Sequence, residues 1–203
     1  MKLFYLLLTI FLFFVTKSNF VKAQEFKYGI TLGIHGAKTT RSDNGLLKLK
    51  HENILGFRVS GIISYNLPYN LSVVSMPGLS KKGYKSDLIT DKEVVYYVEI
   101  PIYAVYSYKI NDYKLFAGLG PYLGMGISGK NYFLGERKVK FGSNKSDDLR
   151  RGDAGFGLMV GYDLPKGLQV IISTSYGLTN LNHVGEVTSK NRIVGISVSY
   201  WLN

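Results

Sequence analysis

The sequence predicts an all-β fold: eight antiparallel strands in up-and-down order, closed as a barrel across a membrane and preceded by a cleaved signal peptide. Three observations carry this. Apolar residues alternate with small or polar ones along the chain, and no 3.6-residue helical period appears after the leader. The alternating runs are long. "YYVEIPIYAVYSYKINDYKLFAGLGPYLGMG", residues 96–126, holds two of them around the turn-like Ile110-Asn111-Asp112-Tyr113, whereas strands of soluble proteins average about 5–6 residues. Finally, short and long connections between the runs alternate strictly.

Residues 1–24 read as a signal peptide: Lys2, an apolar stretch from Leu3 to Val15, then Val21-Lys22-Ala23-Gln24, with cleavage after Ala23 or Gln24. The stretch is shorter than the ~20 residues of a membrane-crossing helix. Residues 25–203 form the barrel domain. The first strand, about 26–37, sets Phe26, Tyr28, Ile30, Leu32 and Ile34 against Lys27, Gly29, Thr31, Gly33 and His35. The second, 54–66, sets Phe57, Val59, Ile63 and Tyr65 against Gly56, Arg58, Ser60 and Ser64. The third, 71–82, alternates poorly, and Pro77 predicts a bulge or broken ladder. The fourth, 94–108, carries Val94 to Tyr106 on one face and Tyr97, Glu99, Pro101 and Tyr103 on the other. In the fifth, 114–127, leucines and Met125 oppose Phe116, Tyr122 and four glycines. The sixth, 153–164, opposes Phe156, Leu158 and Val160 to Asp153, Gly155, Gly157 and Asp163. The seventh, 167–178, and the eighth, 192–202, complete the set. Turn residues fill the short connections (Leu67–Asn70, Ile110–Tyr113 and Leu164–Gly167); the long ones span 38–53, 83–93, 128–152 and 179–191.

A tilted membrane strand needs about 9–11 residues. Its backbone must be fully paired, so the sheet must close. One face here is continuously apolar and the other glycine, serine and tyrosine with few charges. The second face makes a poor solvent surface but a good crowded interior, so the apolar face belongs in lipid. A soluble ligand-carrying barrel would be charged outside. Aromatics gather near the turn end (Phe26, Tyr28, Tyr65, Tyr69, Tyr108, Tyr113, Tyr162, Tyr200, Trp201), with a thinner set near the loops (Tyr84, Tyr96, Tyr132, Phe133). Both match interfacial girdles.

The formal charge of +11 falls to +8 without Lys2, Lys17 and Lys22. The long loops and their flanks hold seventeen cations against nine acids, which accounts for all of it. The basic outer-loop candidates are Lys48, Lys50, Lys81, Lys82, Arg137, Lys138, Lys140, Arg150 and Arg151. A cationic rim above an apolar belt suits phosphate-bearing lipid heads. Nucleic acid is excluded as a partner, since a secreted address offers none and no base-stacking motif is present. The chain has no cysteine, hence no disulfide and no thiolate metal site.

Several pieces in order resemble the Bacteroidetes PorT-like, or porin family, outer-membrane β-barrel domain: "AQEFKYGITLGIHGA", "PGLSKKGYK", "YYVEIPIYAVYSY", "FAGLGPYLGMG" and "YGLTNL". The resemblance covers roughly residues 25–203. It implies a barrel of about eight strands in a Gram-negative outer membrane and no defined substrate.

Strand phase assigns Arg58, Glu99, Asp153 and Asp163 to the lumen, with Lys27 as a further member. A buried charge needs a partner, so Arg58 is expected to pair with Glu99 or Asp153 and to brace a narrow lumen. His51 and His183 have Ser42, Asp43, Glu52, Glu186 and Ser189 nearby in sequence, but no spacing matches a nucleophile motif, and no catalytic residue is assigned. Asp43-Asn44-Gly45 lacks the other ligands of a calcium loop, and Asp147-Asp148 offers a weak cation site at best. "GLGPYLGMG" is followed by a strand, where a phosphate loop needs a helix. No cofactor or metal is therefore expected. The expectation is a monomeric surface or structural barrel with basic outer loops. A narrow channel for ions or small solutes and a lipid-modifying enzyme are the alternatives.

Overall fold

The computed structural model describes residues 26–42, 51–86, 92–111, 113–133, 135–142, 144, 147–182 and 188–202. The expected leader, together with Lys48, Lys50, Asp43, His183 and Glu186, lies outside the described residues. The barrel strands are β1 (Phe26–Ser42), β2 (Ile54–Asn66), β3 in two segments (Leu71–Ser75 and Gly78–Ser86), β4 (Lys92–Ile110), β5 (Tyr113–Asn131), β6 (Gly152–Asp163), β7 (Leu168–Gly177) and β8 (Thr188–Trp201). Two short ladders, His51–Glu52 and Arg137–Lys138, lie against β3 and β5 at the loop end.

Each strand pairs antiparallel with its sequence neighbours. β8 then returns to β1 over the register Gly29↔Trp201 to Ser42↔Thr188. The sheet therefore closes as a ring of eight without an open edge, the form in which a sheet can leave water. The tight connections explain themselves. Tyr69 and Asn70 both have positive φ, 62° and 61°, and the Leu71 N–H donates to the Pro68 carbonyl at 3.4 Å. Two consecutive left-handed residues twist this two-residue hairpin in the sense the strands need. Asn111 and Lys166 take the same left-handed conformation in the other two turns.

The interruption expected at Pro77 falls at Met76-Pro77, between the two segments of β3. Proline has no N–H for the ladder, yet its carbonyl still accepts from the Gly61 N–H at 3.0 Å. The alternation survives the break: Ser72, Val74 and Met76, then Ser80, Lys82 and Tyr84, are all buried. Strands run further at the loop end than the apolar pattern indicates, β3 to Ser86, β4 from Lys92, β5 to Asn131 and β8 from Thr188. Ladder hydrogen bonds need no apolar side chains, so the sheet continues above the belt.

The apolar face points outward. Ile30, Leu32, Val59, Ile100, Leu119, Leu158 and Val198 are all exposed, Leu119 at 60 %, and Leu32 stands directly between Val59 and Val198. Such a continuous apolar wall marks a lipid-facing surface. Phe26 packs on Tyr65 and Tyr113 on Tyr162 near the turns. Two expected girdle members turn the other way. Trp201 packs against the buried core inside the barrel, and Tyr84 is 3 % exposed. Their parity along β8 and β3 is inward, and parity overrides their amphipathic preference.

The lumen is filled in layers. Ile62, Val74, Met76, Tyr103, Val105, Phe116, Met159 and Ile171 make an apolar plug in the turn-end half. Space for them comes from small neighbours: a Cβ at Gly161 would lie 2.1 Å from Phe116 Cζ. Gly161→Val is therefore expected to prevent Phe116 from seating, an overpacking that costs about 1–3 kcal/mol. On an unheated gel the compact barrel band should fade in favour of the slower unfolded band. An unchanged heat-shift would show that the wall can absorb the extra volume.

Candidate functional site

Above the plug lies a belt of charge. Register places Glu99 of β4 opposite Gly124 of β5, and Gly124 opposite Asp153 of β6. Two inward carboxylates thus bracket a residue with no side chain. Lys82 of β3 reaches across, its ammonium bridging both: it pairs with Glu99 Oε1 and lies 3.0 Å from Asp153 Oδ2. Arg58 of β2 completes the chain, its Nη2 donating to Glu99 Oε2 at 2.9 Å. Asp153 also accepts from the Tyr122 hydroxyl at 3.2 Å and from Asn191 Nδ2 at 2.8 Å, while Thr39 donates to Asn191 Oδ1 at 3.4 Å. The Lys82 ammonium lies 4.9 Å from the ring centres of both Tyr97 and Tyr122, within cation–π range.

Lys82 is 1 % exposed, and the Asp153 side chain is fully buried. Isolated charges at that depth would cost several kcal/mol each. Here two cations and two anions alternate, so the girder is neutral and each charged group has a charged hydrogen-bond partner. It ties β2, β3, β4 and β6 together across the lumen.

This corrects the assignment of Lys82 to the outer loops. The strand continues to Ser86, and Lys82 has the parity of Ser80, so its side chain must point inward. Lys81 is not in a loop either; it sits in β3 on the outer face opposite Tyr96, and its carbonyl accepts from His35 Nε2 at 2.9 Å. Asp163 lies apart from the girder, half-buried at the turn end. It accepts from Gln169 Nε2 at 2.6 Å and stands 3.8 Å from Lys114. With Lys27 and Trp201 these groups surround a cavity of about 40 Å³, room for roughly one water.

Arg137, Lys138, Lys140, Arg150 and Arg151 are exposed at the loop end. The segment between β5 and β6 folds back over the mouth. Val139 and Leu149 are buried with Val95, Tyr97 and Leu181, and Phe141 packs on them. Phe141 rests on Gly126, where a Cβ would lie 2.6 Å from its ring. The glycines read as interior packing are thus in part the seat of this cap. Asp147 and Asp148 take backbone N–H groups of Asn144 and Lys140 at 2.8 Å each, and Asp148 also takes the Arg137 guanidinium. Among the described residues, no group of three or more His, Cys, Asp or Glu is placed to hold a metal. Apolar plug, neutral girder and loop cap thus follow one another from the turn end to the loop end of the lumen.

Residues 22–182 match the family model described as outer membrane protein beta-barrel domain. The chain belongs to this family. It is a small outer-membrane barrel protein of a Gram-negative bacterium, and the fold agrees with solved structures. The outer membrane protein OprG from Pseudomonas aeruginosa superposes with a TM-score of 0.51 at 12% identity, covering 89% of this chain and 97% of that one. Neisserial surface protein A gives 0.50 at 13% identity, covering 85% and 96%. No curated protein matches the chain by sequence.

The girder predicts an ordering of stabilities in urea titrations of the liposome-embedded barrel. Lys82→Met leaves Glu99 with Arg58 but the buried Asp153 without a cation and should cost about 3–5 kcal/mol. Lys114→Met removes a long, partly exposed pair and should cost under ~1 kcal/mol. Equal costs would mean that the lumen is wet enough to solvate Lys82.

Proposed function

We propose that this outer-membrane barrel has a closed lumen and works through its outer surface, as a structural or interaction protein and as a monomer. The observation that carries the reading is the stacking of plug, girder and cap on one axis. A conducting pore needs a continuous polar path. The turn-end plug interposes eight buried side chains, six of them aliphatic or thioether and two aromatic. In this reading Lys85 and Arg192, exposed at the loop-end rim, stand at the height of lipid phosphates and attract them. The leader, residues 1–24, directs export and is removed, and the ordered motifs quoted above support a place in the PorT-like branch of Bacteroidetes barrels.

A narrow channel is the competing reading, because the girder is polar and its rearrangement would extend a polar path along the lumen. Planar-bilayer recording separates the two. The purified barrel is expected to show no unit conductance steps, and removing the cap ring with Phe141→Ala should not produce them, since plug and girder remain. Reproducible steps that vanish when Met159 is enlarged to Trp would establish a channel through the lumen.

A further inference from the structure

We propose that the cap between β5 and β6 is a preorganised site for an anionic glycan carrying repeated sulfate or phosphate groups. The inference rests on the outer-surface reading above and names the partner. Residues 130–151 carry seven cations and three acids. All three acids are already engaged. Glu136 accepts from Lys130 Nζ at 2.6 Å, Asp147 holds the Asn144 N–H, and Asp148 holds both the Lys140 N–H and Arg137. Lys138, Lys140, Arg150 and Arg151 have no carboxylate within ion-pair distance among the described residues, and all four are exposed; Lys145 lies outside the described residues.

Their arrangement follows from how the cap is built. Val139 and Leu149 are buried while Lys138, Lys140 and Arg150 beside them are exposed. The cap is thus two-faced, apolar down and basic up. The Asp148 and Leu149 N–H groups both donate to the Lys140 carbonyl, the Val139 N–H to Gly129, the Arg150 N–H to Leu181 and the Gly126 N–H to Arg151. The backbone beneath each cation is therefore fixed. A fixed set of charges loses less entropy on binding than charges on a free loop, and the two arginines offer planar forks that suit sulfate and phosphate oxygens.

Position selects the partner. The buried side of the cap rests on Tyr97 and Val95, which face the lumen, so its basic side stands over the barrel mouth. Lipid headgroups of the same membrane surround the outer wall and meet the rim cations first. A polysaccharide approaching from outside meets the cap.

The test uses the barrel in uncharged phosphatidylcholine nanodiscs, with fluorescent dextran sulfate as probe and uncharged dextran as control, at physiological salt. Neutralising the cap (K138Q/K140Q/R150Q/R151Q) should weaken binding at least tenfold; neutralising the rim (K85Q/R192Q) should change it less than twofold. D148A raises the net charge by one but removes the acceptor that holds the Lys140 backbone N–H and Arg137. Preorganisation predicts weaker binding, whereas simple charge attraction predicts tighter binding and would overturn the proposal. Each variant is first checked for the heat-shift of the folded barrel, and D148A gives the answer if the fourfold variant fails to fold. No binding by the wild type, or equal loss from cap and rim, overturns it. So does a cap variant that loses phosphatidylglycerol vesicles while keeping dextran sulfate, since the partner would then be a lipid surface. Open-channel conductance would overturn the closed-lumen reading and leave this binding result standing; failed binding with a silent bilayer removes the glycan site alone.

Discussion

Within a bilayer a backbone N–H or carbonyl has no water to turn to, and the pairing of β8 with β1 meets that demand for the whole sheet. The rest of the structure follows from this closure. Eight strands fix a narrow circumference, so inward side chains crowd one another and must be matched in volume. Outward side chains are freed to be uniformly apolar. Charges inward of the wall can persist only as a compensated set, and the Arg58, Glu99, Lys82 and Asp153 chain is such a set.

What the sequence made legible was whatever has a period of two. The belt from Ile30 to Val198, the three tight turns and the inward parity of Arg58, Glu99 and Asp153 all follow from alternation. So does the pairing of Arg58 with a carboxylate, since a buried guanidinium without a counter-charge is costly. Lys82 escaped for two physical reasons. In β3 the inward residues Val74 and Met76 are apolar, which erases the contrast that reveals phase. Beyond Lys82 the strand continues on hydrogen bonds alone, so nothing in the residue pattern marks its end. The register with β4 holds the missing signal: Ser80 lies opposite Tyr97, so a lysine two residues on must share the face of Glu99. The cap was illegible altogether. Its order comes from carboxylates turned onto backbone N–H groups and from one ring set on a glycine, contacts that carry no periodicity.

Glycine has a distributed role along β5. Gly124 stands in register between the residues that carry the two carboxylates, and at Gly126 the missing side chain receives Phe141. One strand thus adjoins both the charged belt and the mouth. The plug, by contrast, is built of large residues contributed by six strands.

The clamp between Arg150 and Leu181 joins distant parts of the chain. Leu181 follows β7, and its own N–H is held by Ser189 of β8, so the cap has no complete seat until the last two strands have joined the ring. β4 and β5 supply most of that seat through Val95, Tyr97 and Gly126, and Leu181 completes it. The ordered positive face at the mouth therefore depends on residues that are far apart in the chain and that meet only in the closed ring.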